Sequence, residues 1–239
     1  SSNLNTIWRL TNRNDLTYVH NLGSIIQSQD DKEKEKMSRE FGKSEIRSLL
    51  FASGVIFVEG ISDKIVIERV DNYLSSSGKG AAIEYNEWTV INIDGKENLR
   101  TFINLANEMM IQYVAIVDYD ALMEITGYFE VNGKKIITST IPRCLHITGN
   151  ITKDDTNMVK LLKMGKIETK DKQKWYSQEY FNELNKIALD NNIYVFTTDL
   201  EGVLQTSKTR KESKPLKALQ KILERIEENN IPEEFNCVT

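Results

Sequence analysis

The sequence predicts an α/β fold: a parallel sheet of about four strands flanked by helices, with a helical insertion. Two observations carry this. GVIFVE from Gly54 is a short, continuous apolar run rich in β-branched residues, the character of a strand buried on both faces; WTVINI from Trp88 reads as a second strand, QYVAIVDYD from Gln112 as a third, buried one and NIYVFTTD from Asn192 as a fourth. Between the first three lie stretches with apolar residues at helical period, and strand–helix alternation at this spacing favours right-handed crossovers and a parallel sheet.

Taken in order, residues 1–27 alternate weakly (Ile7, Trp8, Leu10; then Leu16, Tyr18, Val19, Leu22), which predicts a strand or edge element plus a short helix. The stretch from Gln29 is dense in mixed-sign charge and turns apolar at Ile46, Leu49, Leu50 and Phe51, as in a helix solvated first and docked at its end. After the first sheet strand, Ile65, Val66, Ile67, Val70, Tyr73 and Leu74 mark a crossover helix, and SSSGKGAA is a loop. KENLRTFINLANEMM is the second crossover helix, with Leu99, Phe102, Ile103, Leu105, Ala106 and Met110 inward. Asn132-Gly133 is a hairpin turn between two strand-like runs. Residues 152–190 are lysine-rich and helical in pattern. In KPLKALQKILERIEENN, Pro215 suits a first helical turn and Leu219, Ile222 and Ile226 form the inner stripe.

Composition narrows the function. The chain has 239 residues, with 31 Lys+Arg against 35 Asp+Glu and a formal charge of -4, so bulk charge does not hold it on nucleic acid. Cys144, Cys237, His20 and His146 are too few and scattered for a disulfide framework or a zinc site, which favours a reducing compartment and oxygen ligands for any metal. No apolar run approaches a membrane span and no leader precedes TIWRL, so the expectation is a soluble, cytoplasmic protein with no membrane partner, cut from a longer polypeptide.

In open parallel sheets, ligands bind beyond the carboxyl ends of the strands. Glu59 closes the first strand, Asp118 and Asp120 the third, and Asp199 and Glu201 follow the fourth; Asp63 falls in the first turn of the next helix, across a turn at Gly60. Such a set of carboxylates repels itself unless a cation neutralises it. Mg²⁺ or Mn²⁺ suits all-oxygen ligands, and several carboxylates can hold two ions. Each acidic residue alone also suits a helix cap or a solvated loop. The run Lys208, Arg210, Lys211, Lys214, Lys217, Lys221 and a more diluted one from Lys153 to Lys174 suit DNA phosphates or, equally, a solvated face. Trp175 and Tyr176 suit base stacking or a core. SSGKG and Gly95-Lys96 lack the glycine spacing of a phosphate loop, so no nucleotide site is expected in this chain.

FVEGISD followed by VAIVDYD resembles the Toprim domain of topoisomerases, bacterial primases and some nucleases. LLFASGVIFVEGISDK, NIDGKENLRTFINLANEM, TTDLEGVL and ESKPLKAL resemble the carboxyl-terminal Toprim half of the overcoming-lysogenization-defect (OLD) family, ATPase-Toprim nucleases that include the nuclease subunit of the Gabija antiphage system. The resemblance covers roughly residues 45 to 225. It implies a Toprim-like sheet, with Glu59 as metal ligand or general base, and Asp118 and Asp120 as metal ligands. Asp63 stands where many members carry Glu, acting directly or through water. Glu201 with Asp199 matches the later acidic position for a second ion, and Lys214 the catalytic lysine. Residues 1–50 would be linker and tail of a missing amino-terminal ATPase domain, 51–225 the nuclease domain with its insertion at about 150–190, and 226–239 a carboxyl-terminal tail. The implied function is a two-metal DNA endonuclease or nickase in antiphage defence. DNA, the ATPase domain, further copies of the chain and a helicase-like defence protein would be its partners. The alternative is a non-catalytic Toprim scaffold binding DNA or a protein.

Overall fold

The computed structural model describes residues 4–41, 43, 47–80, 83–118, 121, 130–131, 134–135, 188–196, 199–206, 213–233 and 235. The chain opens with an antiparallel hairpin, β1 (Trp8–Arg13) and β2 (Leu16–Asn21). Two short helices follow, α1 (Leu22–Gln27) and α2 (Asp31–Glu40). Each starts where a side chain can satisfy an open backbone donor: Asn21 accepts from the Ser24 N–H and Asp30 from the Glu33 N–H. The docked end expected at 46–51 is arranged differently. Helix α2 stops at Glu40 and buries Met37 and Phe41, while Leu49 and Leu50 are buried in a separate 3-10 turn and Phe51 is 86 % exposed. Ile46 lies outside the described residues.

The sheet strands are β3 (Gly54–Val58), β4 (Trp88–Asn92), β5 (Gln112–Val117) and β8 (Ile193–Val195), all parallel, in the order β4-β3-β5-β8. Between the last two, β6 (Glu130–Val131) and β7 (Lys134–Lys135) pair antiparallel on either side of Asn132-Gly133, the predicted hairpin position. The remaining helices are α3 (Ile61–Ser76), α4 (Leu99–Glu108), α5 (Leu200–Val203) and α6 (Lys214–Glu227).

Strand β3 is buried along its whole length and divides its side chains between two cores. Val55 and Phe57 join Leu22, Met37, Phe41, Phe102 and Ala115 on one side; Ile56 and Val58 join Val66, Val70, Phe196, Ala218 and Ile222 on the other. Alternation of side chains across a strand thus explains why the run is continuously apolar: both faces are covered, by α1, α2 and α4 on one and by α3 and α6 on the other. Leu22, Ile25, Ile26, Met37 and Phe41 precede residue 51 yet lie in the same core as the sheet, and Phe235 closes the opposite one. Helix α4 buries Leu99, Phe102, Ile103, Leu105 and Ala106, but the inward methionine is Met109, not Met110. The helix ends at Glu108, and Met110 takes a left-handed φ of 52°, which breaks the helical period one residue early. No helix among the described residues is long and apolar enough to cross a membrane.

Candidate functional site

The carboxyl end of the sheet gathers the acidic residues from four elements. In the β3–β5 register Val58 faces Ile116, so Glu59 stands level with Val117 and one step short of Asp118 on the neighbouring strand. Gly60 leads from Glu59 into α3, and its N–H donates to Asp63 Oδ2 at 2.8 Å, so Asp63 folds back over the turn rather than out to solvent. A side chain at residue 60 would place its Cβ 3.2 Å from that oxygen, which is why a glycine suits the position. Burial, the largest influence, pushes the Asp63 carboxyl up to about 6 despite the Gly60 hydrogen bond and the positive charge of Lys214, which both favour ionisation.

Asp118 and the start of α5 form the second part. Asp118 Oδ1 accepts the Leu200 N–H at 3.0 Å, and Asp199 caps the same short helix by accepting the Gly202 N–H at 2.9 Å. One oxygen of each carboxylate therefore serves the helix start, whose open N–H groups favour negative charge. Glu201, in the first turn of α5, is buried at 8 % exposure and its Oε1 pairs with Lys214 Nζ at 2.5 Å. Lys214 is the first residue of α6, with Pro215 behind it in the first turn. Lys214 is thus the tie between the two parts: it is bonded to Glu201 and close enough for its charge to act on Asp63.

Glu59, Asp63, Asp118, Asp199, Glu201 and Lys214 accordingly occupy one end of the sheet and the helix starts around it. Among the described residues, no three His, Cys, Asp or Glu side chains gather closely enough to hold a metal ion as they stand. Lys217 is exposed on α6. Asp120, Lys208, Arg210 and Lys211 lie outside the described residues, as do Trp175, Tyr176 and the lysine-rich stretch.

The donor set suits a hard divalent ion. All candidate ligands are carboxylates, and the desolvated Asp63, held above the usual carboxylate range, is the kind of group that a bound cation would ionise. One feature behind the site escaped the sequence reading. Asp94 and Gly95 take left-handed φ values of 58° and 111°, and this turn brings the Gly95 N–H to 2.9 Å from the Glu59 carbonyl. The Asp-Gly dipeptide was the available signal, since it marks turns of this kind.

Residues 50–120 match the family model described as the TOPRIM domain of overcoming lysogenization defect protein-like proteins. Among solved structures the chain is similar to the C-terminal region of the Xanthomonas campestris pv. campestris OLD protein. The platinum-phased structure is 13 % identical, covers 80 % of this chain and 92 % of that one, and has a TM-score of 0.39. The iodine-phased structure is 14 % identical, covers 79 % and 92 %, and has a TM-score of 0.37. No curated protein matches the chain.

Proposed function

With an OLD-like Toprim domain at residues 50–120 as the premise, we propose that this chain hydrolyses phosphodiester bonds in DNA, using Mg²⁺ or Mn²⁺ at the carboxyl end of its sheet. The observation that carries the reading is the tie made by Lys214, which links Glu201 to the desolvated Asp63 at the edge where β3 ends in Glu59 and β5 leads into Asp118. Helix capping accounts for the hydrogen bonds of Asp63, Asp118 and Asp199 to backbone N–H groups; it does not account for a lysine whose charge meets carboxylates from two elements, Glu201 and Asp63.

Glu59, Asp63 and Asp118, with Asp120 two residues on, would hold one ion, and Asp199 with Glu201 would contribute to a second. Bound there, divalent ions lower the pKa of water and stabilise developing negative charge on phosphate and leaving oxygens. The chain's own groups have separate tasks. Glu59, at the end of a fully buried strand, is held on a rigid support and can accept a proton from the attacking water. Lys214, paired with Glu201 and 41 % exposed at its side chain, would oppose charge building on the phosphoryl oxygens. Lys217, on the exposed face of the same helix, with Lys208, Arg210 and Lys211 before it, would contact the DNA backbone. A role in antiphage defence, regulation by an ATPase domain, assembly with further copies and a helicase-like partner follow only from the family and are part of the same proposal.

The test is plasmid nicking with Mg²⁺ or Mn²⁺, comparing the chain with Glu59→Ala and Lys214→Met. Loss of cleavage with Glu59→Ala and a drop of about 100-fold with Lys214→Met are expected. Equal cleavage by all three would overturn the assignment, and binding without cleavage by the unaltered chain would favour a non-catalytic scaffold.

A further inference from the structure

Helix α2 packs on the face of the sheet away from Lys214, and its polar contacts converge on one small region. Glu33 Oε2 accepts the Thr101 hydroxyl at 2.7 Å, and Lys36 Nζ donates to the Glu97 carbonyl at 2.7 Å. Just past the helix end, Lys43 Nζ lies 2.7 Å from Glu40 Oε2 and 3.2 Å from Asp94 Oδ2. Three of these four contacts land on residues 94–101, the loop after β4 and the first turns of α4.

That loop is held in a demanding shape. Asp94 and Gly95 are both left-handed, a Cβ at residue 95 would sit 2.8 Å from the Glu97 carboxylate oxygens, and the buried Asn98 amide donates to the carbonyls of Ile93 and Asp94 at 2.8 and 3.0 Å. From it the Gly95 N–H reaches the Glu59 carbonyl at 2.9 Å. Lys43 is therefore two hydrogen bonds and one residue of backbone away from Glu59.

Glu40 makes this more than a surface ion pair. Its residue is 2 % exposed, with Arg39 Nε 3.2 Å from Oε1 and Lys43 on Oε2, so the carboxylate has been taken out of water on condition that both cations stay. The hydrogen bond to Glu40, first, and Asp94 beside it hold Lys43 above the ordinary lysine value. Exposed pairs are worth little, but this one anchors a buried charge at one end and a strained turn at the other.

We infer that Lys43, braced by Glu40, is a positioning residue: it holds the Asp94-Gly95 turn against the Glu59 carbonyl and so sets the place of the Glu59 carboxylate. The inference rests on the reading of Glu59 as a catalytic group, and its test separates the two. In the metal-free chain, exchange of the Gly95 amide with deuterated solvent is measured for the unaltered protein, Lys43→Met, Lys43→Arg and the double variant Glu40→Gln/Lys43→Met, which removes the stranded buried charge. Nicking is then measured as kcat and KM. Faster Gly95 exchange in Lys43→Met and in the double variant, with kcat about tenfold lower at unchanged KM and substantial recovery in Lys43→Arg, is the expected result. Unchanged Gly95 exchange, or a KM effect without a kcat effect, would overturn it. If the unaltered chain does not cleave DNA, the proposed function fails on that observation, while the exchange measurement still decides whether Lys43 holds the turn.

Discussion

Asp63 carries most of the chemical information at the level of single residues. Its carboxyl is drawn over the Gly60 turn by a 2.8 Å hydrogen bond, and burial still raises its pKa from 3.8 to about 6. Between those values folded Asp63 binds more proton than unfolded Asp63, so its contribution to metal-free stability is fully present below about pH 4 and is lost as pH rises through 6. The size is on the order of 3 kcal/mol, from about 1.4 kcal/mol per pKa unit. Urea unfolding at a series of pH values should show this decline in the unaltered chain relative to Asp63→Asn, with the variant the more stable at pH 7. A constant difference between the two from pH 4 to 7 would show that Asp63 ionises normally. Its place in the first turn of α3 was legible from the four-residue step after Glu59. The resemblance marked Lys214 for the site, but its pairing with Glu201 and its reach to Asp63 could not be read, because a lysine's partner 13 residues away across two elements leaves no periodic mark.

At the scale of elements, the sheet strands were legible as short runs rich in β-branched and aromatic residues, and β3, buried along its whole length, as an unbroken apolar run. The helices were legible where one face alone is buried. Helix α4 shows both the strength and the limit: its stripe from Leu99 to Ala106 is inward, while the left-handed Met110 hands the last position to Met109. Phe102 is the anchor of that stripe, 1 % exposed and with its ring centroid 5.6 Å from Phe57 on β3. Phe102→Ala should cost about 3–5 kcal/mol in urea unfolding, the usual range for emptying a buried aromatic site. A cost below about 1 kcal/mol would mean that α4 is not held to the sheet by this contact. The Lys43–Asp94 contact spans 51 residues and joins a charged stretch that reads as solvated to the turn after β4, so neither the pairing nor the buried Glu40 beside it could be read before the helix was placed on the sheet.

For the molecule as a whole, the net charge of -4 first argues against a nucleic-acid protein, and the fold changes what that number means. Acidic residues scattered from Glu59 to Glu201 in sequence lie at one end of the sheet, where divalent ions would offset them, and the start of α6 brings Lys214 to Glu201 there. The opposite face is packed by the amino-terminal helices, so the stretch before residue 51, which reads as a connection by its charge, contributes Leu22, Met37 and Phe41 to the core. The central claim is that the carboxylates at this end of the sheet bind catalytic divalent ions. Anomalous diffraction from crystals grown with millimolar Mn²⁺ tests it most directly. Manganese density among Glu59, Asp63 and Asp118 is predicted, and crystals of the Mn²⁺-treated chain with no density at that edge would contradict the claim.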